Sequence, residues 1–338
     1  MSTACKSPRK VAAVAMAVGN RTLPRYGHRF SRHDYQLAQL FACLVLRKFF
    51  RTDYRGIIAI LDDWPQGRQV LGLFSKTPHF TTLQKVERRL LTDPLIRKLL
   101  TQTVEMFHEH GPPSTDASNT GHIIEIAAAD STGFTLDRAS RYFIKRRARG
   151  QPTTNNPLYQ TATYRRFAKL AVIIDCDTHL ILATYRGMGP RPDIDQLKPL
   201  LKGICSNVVP ELLVADGGYD SQFNHHLLRE VYNIESLIPA VHGRPTTALP
   251  TDRWRYLMAT EFDEETYGRR WQVETVMFML KRHQGDALTA RVYQTRRREI
   301  GLMAITHNIL IILLAELFYR AGQAPFLCAA QTAASPLF

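Results

Sequence analysis

The chain reads Tyr267-Gly-Arg-Arg-Trp-Gln-Val-Glu-Thr-Val-Met-Phe-Met-Leu-Lys281. This stretch has no proline and no glycine after its second position, so it predicts a helix. At about 100° per residue, Tyr267, Arg270, Glu274 and Lys281 fall within an arc of about 60°. The helix therefore carries a stripe of phenol, guanidinium, carboxylate and ammonium groups beside an apolar flank. Taken alone, the stripe is equally compatible with a functional site and with a solvated face.

Two aspartates upstream favour a functional site. Asp130 ends the apolar run 123–129 and precedes Ser-Thr-Gly, and Asp216 ends the run 211–215 and precedes Gly-Gly-Tyr. Short apolar runs bounded by turn residues are typical of largely buried strands. An aspartate at the end of such a strand is costly unless it is paired or binds a cation. Asp130, Asp216 and Glu274 offer hard oxygen ligands, which suit Mg²⁺ or Mn²⁺.

Three motifs together resemble the DDE transposases of bacterial and archaeal insertion sequences, in the branch named for its Tyr-Arg-Glu-Lys signature. They are Asp-Ser-Thr-Gly from residue 130, Ala-Asp-Gly-Gly-Tyr-Asp from residue 215, and the Tyr-x2-Arg-x3-Glu-x6-Lys spacing from residue 267. The resemblance covers about residues 120–320. It implies that Asp130, Asp216 and Glu274 form a catalytic triad binding two Mg²⁺ or Mn²⁺ ions. It also implies that Tyr267, Arg270 and Lys281 contact the transposon end.

The chain departs from some members of that family in one spacing. Asp216 and Glu274 are 58 residues apart (274 − 216). Some members carry a large β-rich insertion between these positions, and this chain has no room for one. It is therefore similar to the compact members.

The charge balance favours a polyanionic partner. The 338 residues contain 44 Lys and Arg but only 30 Asp and Glu, which gives a net charge of +14. Such an excess indicates nucleic acid ahead of an anionic membrane surface. A cluster of six basic residues follows the Asp130 run, and we interpret it as a phosphate clamp rather than an ordinary solvated loop. The cluster consists of Arg138, Arg141, Lys145, Arg146, Arg147 and Arg149.

The order of predicted elements indicates the fold class. From residue 121 the patterns give three strands, a helix, a strand, a helix, a strand and the helix that carries Glu274. This is the order of a ribonuclease-H-like α/β domain, with a mixed five-stranded sheet and flanking helices. Asp175 and Asp177 fall in the turn between the second and third strands, where local backbone hydrogen bonding is their expected role. Asp220 is expected to cap the helix at Ser221.

A small all-α domain is predicted to precede the α/β domain. We expect a mobile basic arm over residues 1–27, a helical DNA-end-binding domain over 28–110, a linker over 111–120, the catalytic domain over 121–325 and a tail over 326–338. Within the helical domain, residues 67–73 and 81–91 are compatible with a helix-turn-helix or with a bundle that packs on the catalytic domain. In the first case a set of polar residues faces DNA: Thr82, Gln84, Lys85, Arg88 and Arg89.

Cysteine usage and the final helix bear on the cellular compartment. The five cysteines are scattered without a Cys-x-x-Cys pair, so neither a disulfide framework nor a zinc site is expected. The apolar segment 300–318 contains polar residues such as Thr306, His307 and Asn308, so we expect a core helix rather than a membrane span. These patterns favour a cytoplasmic protein associated with DNA.

The leading functional expectation follows from the resemblance. A transposase of this kind binds terminal inverted repeats in double-stranded DNA, cleaves there and joins the ends to target DNA, as a homodimer in the synaptic complex. One alternative is a ribonuclease-H-like nuclease that cuts DNA without strand transfer. Another is a DNA-binding protein whose catalytic site is silent.

Overall fold

The structure is a computed structural model that describes residues 7–30, 32–110, 122–136, 167–189, 191–205, 208–241 and 248–320. Its N-terminal part is helical. The helices there are α1 (Pro8–Thr22), α2 (Leu37–Phe49), α3 (Tyr54–Asp62), α4 (Pro65–Leu71), α5 (Phe80–Leu90) and α6 (Asp93–His110). Local caps fix several of these boundaries: Asp53 Oδ1 accepts hydrogen bonds from the first turn of α3, for example from Gly56 N at 2.7 Å.

Helix α1 corrects the expectation of a mobile arm at the N-terminus. Residues 8–22 form a regular helix that buries Val11, Ala15 and Val18 completely. This helix packs closely on α2, since a Cβ added at Gly19 would lie only 3.0 Å from Ala38 Cα. The small apolar residues of α1 form a packing face. The free energy gained by burying this face offsets the conformational entropy that the segment loses when it becomes ordered.

The sheet has the strand order β3-β2-β1-β4-β5, with a short sixth strand paired to β1. Strand β1 is antiparallel to β2 and parallel to β4, so the sheet is mixed, as predicted for a ribonuclease-H-like fold. The sixth strand was not predicted. The strands are β1 (His122–Leu136), β2 (Phe167–Asp175), β3 (Ile181–Gly189), β4 (Val208–Ala215), β5 (Glu235–Leu237) and β6 (Ala287–Leu288).

Strand β1 does not end at Asp130, and that prediction is wrong. The parallel pairing with β4 stops at Ala129 and Ala215, but the antiparallel pairing with β2 continues from Asp130 to Phe134. The Ser-Thr-Gly segment therefore remains extended, because its backbone groups form hydrogen bonds with β2. As a result, Asp130 is the first residue of β1 after its pairing with β4 ends.

The remaining helices cover both faces of the sheet. Helix α7 (Leu197–Leu201) follows a 3₁₀ turn at Asp193–Gln196, and a second 3₁₀ turn at Gly217–Tyr219 follows β4. A third 3₁₀ turn, Gly268–Arg270, interrupts the helical stretch predicted over 267–281. The other helices are α8 (Gln222–His226), α9 (Arg253–Thr260), α10 (Glu264–Tyr267), α11 (Trp271–Gln284) and α12 (Tyr293–Arg320).

The N-terminal helices and the α/β region share one hydrophobic core. Buried residues of α1 and α2 belong to the same cluster as α11, α12 and one face of the sheet. Lys48 of α2 also forms a buried ion pair with Glu299 of α12. The predicted linker, residues 111–120, lies outside the described residues.

Helix α12 is long and apolar enough to cross a membrane, but it is a core helix. Within its apolar window, 89% of the residues are buried inside the protein. Its polar residues Thr306, His307 and Asn308 are buried and hydrogen-bonded. This agrees with the sequence-based interpretation of the segment.

Candidate active site

The two aspartates lie side by side at one end of the sheet. Ala129 and Ala215 are partners in the parallel pairing, so Asp130 and Asp216 follow directly on adjacent strands. Asp130 is partly buried, and its Oδ1 accepts a hydrogen bond of 2.6 Å from Ser131 N. Burial raises the pKa of the Asp130 carboxyl, and the nearby negative charge of Asp216 raises it further. A pair of close carboxylates at a strand end is electrostatically suited to receive a cation.

Arg270 connects the third candidate acid to this pair. Its Nη2 lies 2.7 Å from Glu274 Oε1, and its Nη1 lies 3.7 Å from Asp130 Oδ2. The Glu274 side chain is 58% exposed on α11. In this conformation no three acidic, imidazole or thiol side chains among the described residues are grouped closely enough to hold a metal ion. The guanidinium of Arg270 thus occupies the space between the carboxylates of β1 and α11.

The other two residues of the stripe also lie near β1. Lys281 Nζ donates a hydrogen bond of 2.6 Å to Thr132 Oγ1. Burial lowers the pKa of Lys281. The Tyr267 ring lies under Arg270, with 5.9 Å between its centroid and the guanidinium carbon. The helix therefore runs beside β1, with Arg270 near Asp130 and Lys281 at Thr132.

The predicted phosphate clamp cannot be placed. Lys145, Arg146, Arg147 and Arg149 belong to residues 137–166, which lie outside the part of the chain that the structure describes. Their role stays a prediction.

The hairpin acids and Asp220 have structural contacts. Asp175 accepts a hydrogen bond from Asp177 N at 2.9 Å, which agrees with the expected local role in the turn. The Asp177 side chain instead forms an ion pair with Arg269, which is distant in the sequence. Asp220 corrects a prediction, because it accepts from Val241 N at 2.8 Å and from Arg255 rather than capping α8.

A fourth acid near the aspartate pair was missed from the sequence. Asp193 follows β3, and its charge contributes to the raised pKa of Asp130. Lys169 Nζ lies 2.8 Å from Asp193 Oδ1. An aspartate at the start of a helical turn looks like an ordinary cap, so nothing in the local pattern distinguishes it.

Two exposed aromatic residues flank Glu274 and were also missed. Trp271 is 53% exposed and Phe278 is 61% exposed, and both are on α11. Their spacing of three and four residues from Glu274 places them on the same side of the helix. The signal was available in the sequence, but aromatic residues at helical spacing usually indicate a core face.

A basic surface on α5 fits the predicted DNA-contacting face. Glu87 is buried on the inner side of α5, where it accepts hydrogen bonds from Arg47 at 2.8 Å and from Tyr54 at 2.7 Å. This anchor leaves Gln84, Lys85, Arg88 and Arg89 exposed on the outer side. Thr82 is half-buried. Arg88 also lines a cleft together with Arg291 and Arg298.

Comparison with known protein families places the chain in one of them. The family model described as "Transposase DDE domain" matches residues 121–309, which is more than half of the chain and includes Asp130, Asp216 and Glu274. No curated protein sequence matches the chain significantly.

Proposed function

The chain belongs to the Transposase DDE domain family, and we propose that it binds the inverted-repeat ends of its element, cleaves the DNA there and joins the ends to target DNA. Asp130, Asp216 and Glu274 act as the catalytic triad in this proposal. The observation that carries it is the placement of Asp130 and Asp216 directly after the last paired residues of the parallel strands β1 and β4, with Arg270 linking Asp130 to Glu274.

The donor set fits divalent metal ions. All three acids present hard oxygen atoms, and Asp130 is partly buried near the negative charge of the exposed Asp216. Two Mg²⁺ or Mn²⁺ ions held there would supply charge neutralisation and activation of the attacking oxygen in phosphodiester displacement. Arg270 would first have to leave the space that it occupies between Asp130 and Glu274.

The stripe residues are proposed to hold DNA. Once Arg270 releases the carboxylates, its guanidinium can bind a phosphate bidentately, and Lys281 can bind the next one as a point charge. Tyr267 can stack on a base or donate a hydrogen bond to a phosphate. Lys145, Arg146, Arg147 and Arg149 are proposed to add phosphate contacts, so the double variant Arg146→Ala/Arg147→Ala should lower the salt dependence of binding.

Sequence-specific contacts are assigned to the N-terminal helices. The exposed basic side of α5 supports a role for Lys85, Arg88 and Arg89 at the transposon end. We propose that two copies of the chain act together in the synaptic complex, within the cytoplasm.

A strand-transfer assay distinguishes the three candidate functions. A duplex from the DNA that flanks the coding region, with a free 3′-hydroxyl end, is incubated with target plasmid and Mg²⁺. Joined product supports the transposase, cleavage without joining supports a nuclease, and binding without chemistry supports a silent DNA-binding protein.

A single substitution tests the triad. Glu274→Gln should keep DNA binding and abolish cleavage, because it removes one anionic ligand and keeps the shape of the side chain. Glu265→Gln, at an exposed position on the preceding helix, is the matched control and should cleave like the wild type. Cleavage retained by Glu274→Gln would remove this residue from the mechanism.

A further inference from the structure

A cleft of about 600 Å³ lies between α5 and the loop that joins β6 to α12. Three arginines line this basic cleft: Arg88 from α5, Arg291 from the loop and Arg298 from α12. None of the three forms an ion pair or a side-chain hydrogen bond with another described residue. Cations that converge without an acid repel one another, so their placement indicates that an anion joins them.

The walls of the basic cleft are held in place without a ligand. Glu299 accepts a hydrogen bond of 2.9 Å from Ala290 N. Arg296 donates to the carbonyl oxygens of Ala290 at 3.1 Å and Arg291 at 2.7 Å. These contacts fix the loop after β6, and the buried Glu87 anchors the α5 wall. A preorganised site loses less conformational entropy when it binds a ligand.

The basic cleft lies along β1 from the aspartate pair. Strand β6 pairs with β1 up to Leu136, and the cleft begins at Thr289, the first residue after β6. Leu136 is six residues beyond Asp130 (136 − 130) on the same strand, which corresponds to about 20 Å at about 3.3 Å per residue. Between them, Lys281 contacts Thr132. Basic groups therefore lead from the aspartates to the cleft.

We propose that the basic cleft binds the phosphodiester backbone of the transposon end, about six base pairs from the cleavage point at the end of the repeat. Duplex DNA rises about 3.4 Å per base pair, so about 20 Å corresponds to about six base pairs. The contact places the helical part and the catalytic part of the chain on the same DNA. The inference rests on the proposed function, since it takes DNA as the ligand and the aspartate pair as the cleavage site.

The chemistry of the lining favours phosphate over a base edge. A guanidinium binds a phosphate through two parallel hydrogen bonds, and the arginines of two facing walls can grip successive phosphates of one strand. Gln294 and Thr295 in the first turn of α12 also line the cleft, so the positive end of a long helix adds to the potential there. A solvated surface explains one exposed arginine, but it does not explain three from separate segments in one cleft.

The salt dependence of DNA binding by the full chain tests the proposal. Fluorescence anisotropy measures binding to a duplex from the DNA that flanks the coding region. Arg291→Gln/Arg298→Gln removes two phosphate contacts, so the slope of log K against log salt concentration should fall by about 1.8. Arg88→Gln, on the opposite wall, should lower it by about 0.9 and keeps the test valid if the double variant does not fold.

A matched control accounts for net charge. Lys198→Gln/Lys202→Gln also removes two exposed charges, but from α7, which packs against the other face of the sheet. Its slope should equal that of the wild type. An equal fall in this control would assign the effect to net charge and overturn the inference.

Neutral phosphates locate the contact on the DNA. Methylphosphonate linkages, each of which removes one phosphate charge, are placed one at a time along the duplex. A linkage about six base pairs from the end of the repeat should weaken binding by the wild type about tenfold, the usual effect of losing one charged hydrogen bond. Its effect on Arg291→Gln/Arg298→Gln should be much smaller, because the partner charges are gone. The same loss in the variant would overturn the placement.

The outcomes separate this inference from the proposed function. If Arg291→Gln/Arg298→Gln cleaves DNA and binds it with the wild-type slope, the basic cleft is wrong and the catalytic proposal stands. If the slope falls as expected but the wild type never cleaves, the cleft stands and the catalytic proposal is wrong. A wild-type chain that does not bind the flanking DNA would overturn both.

Discussion

Nη1 of Arg270 lies 3.7 Å from Oδ2 of Asp130, and the other end of the same guanidinium contacts Glu274. A cationic side chain thus bridges two acids that are proposed to bind metal ions. The contact keeps the two carboxylates from repelling each other in the free protein. A metal ion would therefore compete with Arg270 for the two carboxylates, and a DNA phosphate would compete with Glu274 and Asp130 for Arg270.

Removing the charge of Arg270 should separate metal binding from catalysis. We expect Arg270→Gln to bind Mn²⁺ several-fold more tightly without DNA, because a unit charge about 4 Å away opposes a cation by about 1 kcal/mol or more. The same variant should cleave DNA more slowly, since a phosphate contact is lost. Titration calorimetry and a cleavage assay check the two effects, with Arg282→Gln on the exposed side of the helix as control. Weaker Mn²⁺ binding in Arg270→Gln would contradict the competition.

The exposed aromatic residues beside Glu274 should contact bases at the cleavage point. Phe278→Ala and Trp271→Ala are each expected to weaken binding to ends with unpaired bases by about 1–3 kcal/mol, the usual value of base stacking on an aromatic ring. Binding to fully paired duplex should change less. Fluorescence anisotropy with both DNA forms measures the difference. Phe223→Ala, at another exposed phenylalanine, is the control and should bind both forms normally.

The buried ion pair between α2 and α12 should stabilise the whole molecule. The side chains of Lys48 and Glu299 are both almost completely buried, and Glu299 also accepts hydrogen bonds from Thr289 and Ala290. Lys48→Met leaves a buried carboxylate without its cation, so we expect a loss of about 3–5 kcal/mol in the free energy of unfolding. Urea denaturation measures it.

A second variant distinguishes lost charge compensation from lost packing at this pair. Lys48→Met/Glu299→Gln removes both charges and should recover part of the loss. If the double variant is less stable than Lys48→Met alone, uncompensated charge is not the cause.

His307 should make the protein less stable in mild acid. Burial lowers the pKa of His307 from 6.5 to about 4, and its Nε2 donates to the carbonyl of His179 at 3.0 Å. Between these two pH values the unfolded chain binds the proton and the folded chain does not, so stability falls as the pH drops from 6.5 towards 4. This histidine should account for about 2 kcal/mol between pH 7 and pH 5.

Substitution isolates that contribution. His307→Gln keeps an N–H donor and should show a smaller difference in unfolding free energy between pH 7 and pH 5. His226→Gln, at an exposed histidine, should keep the wild-type difference. An unchanged pH dependence in His307→Gln would assign the acid sensitivity to other groups.

Much of the fold could be predicted because its signals are local. The succession of strands and helices along the chain follows from apolar runs, and the helix boundaries follow from caps such as Asp53, which act within a few positions of themselves. The errors have the opposite origin. Strand β1 continues past Asp130 because β2 pairs with it, and α1 is ordered because α2 covers it. Both outcomes depend on partners that local patterns do not identify.

The sequence by itself determined that Tyr267, Arg270, Glu274 and Lys281 share one side of a helical segment, because their spacing follows the period of a helix. Only the tertiary structure decided that Arg270 lies between Glu274 and Asp130, and that Asp193 lies against Gly218 in the turn after Asp216. Those neighbours come from separate parts of the chain, and the pairing of β1 with β4 and the packing around it bring them together. Contacts between distant residues depend on how strands and helices pack, and no periodicity in the sequence records that.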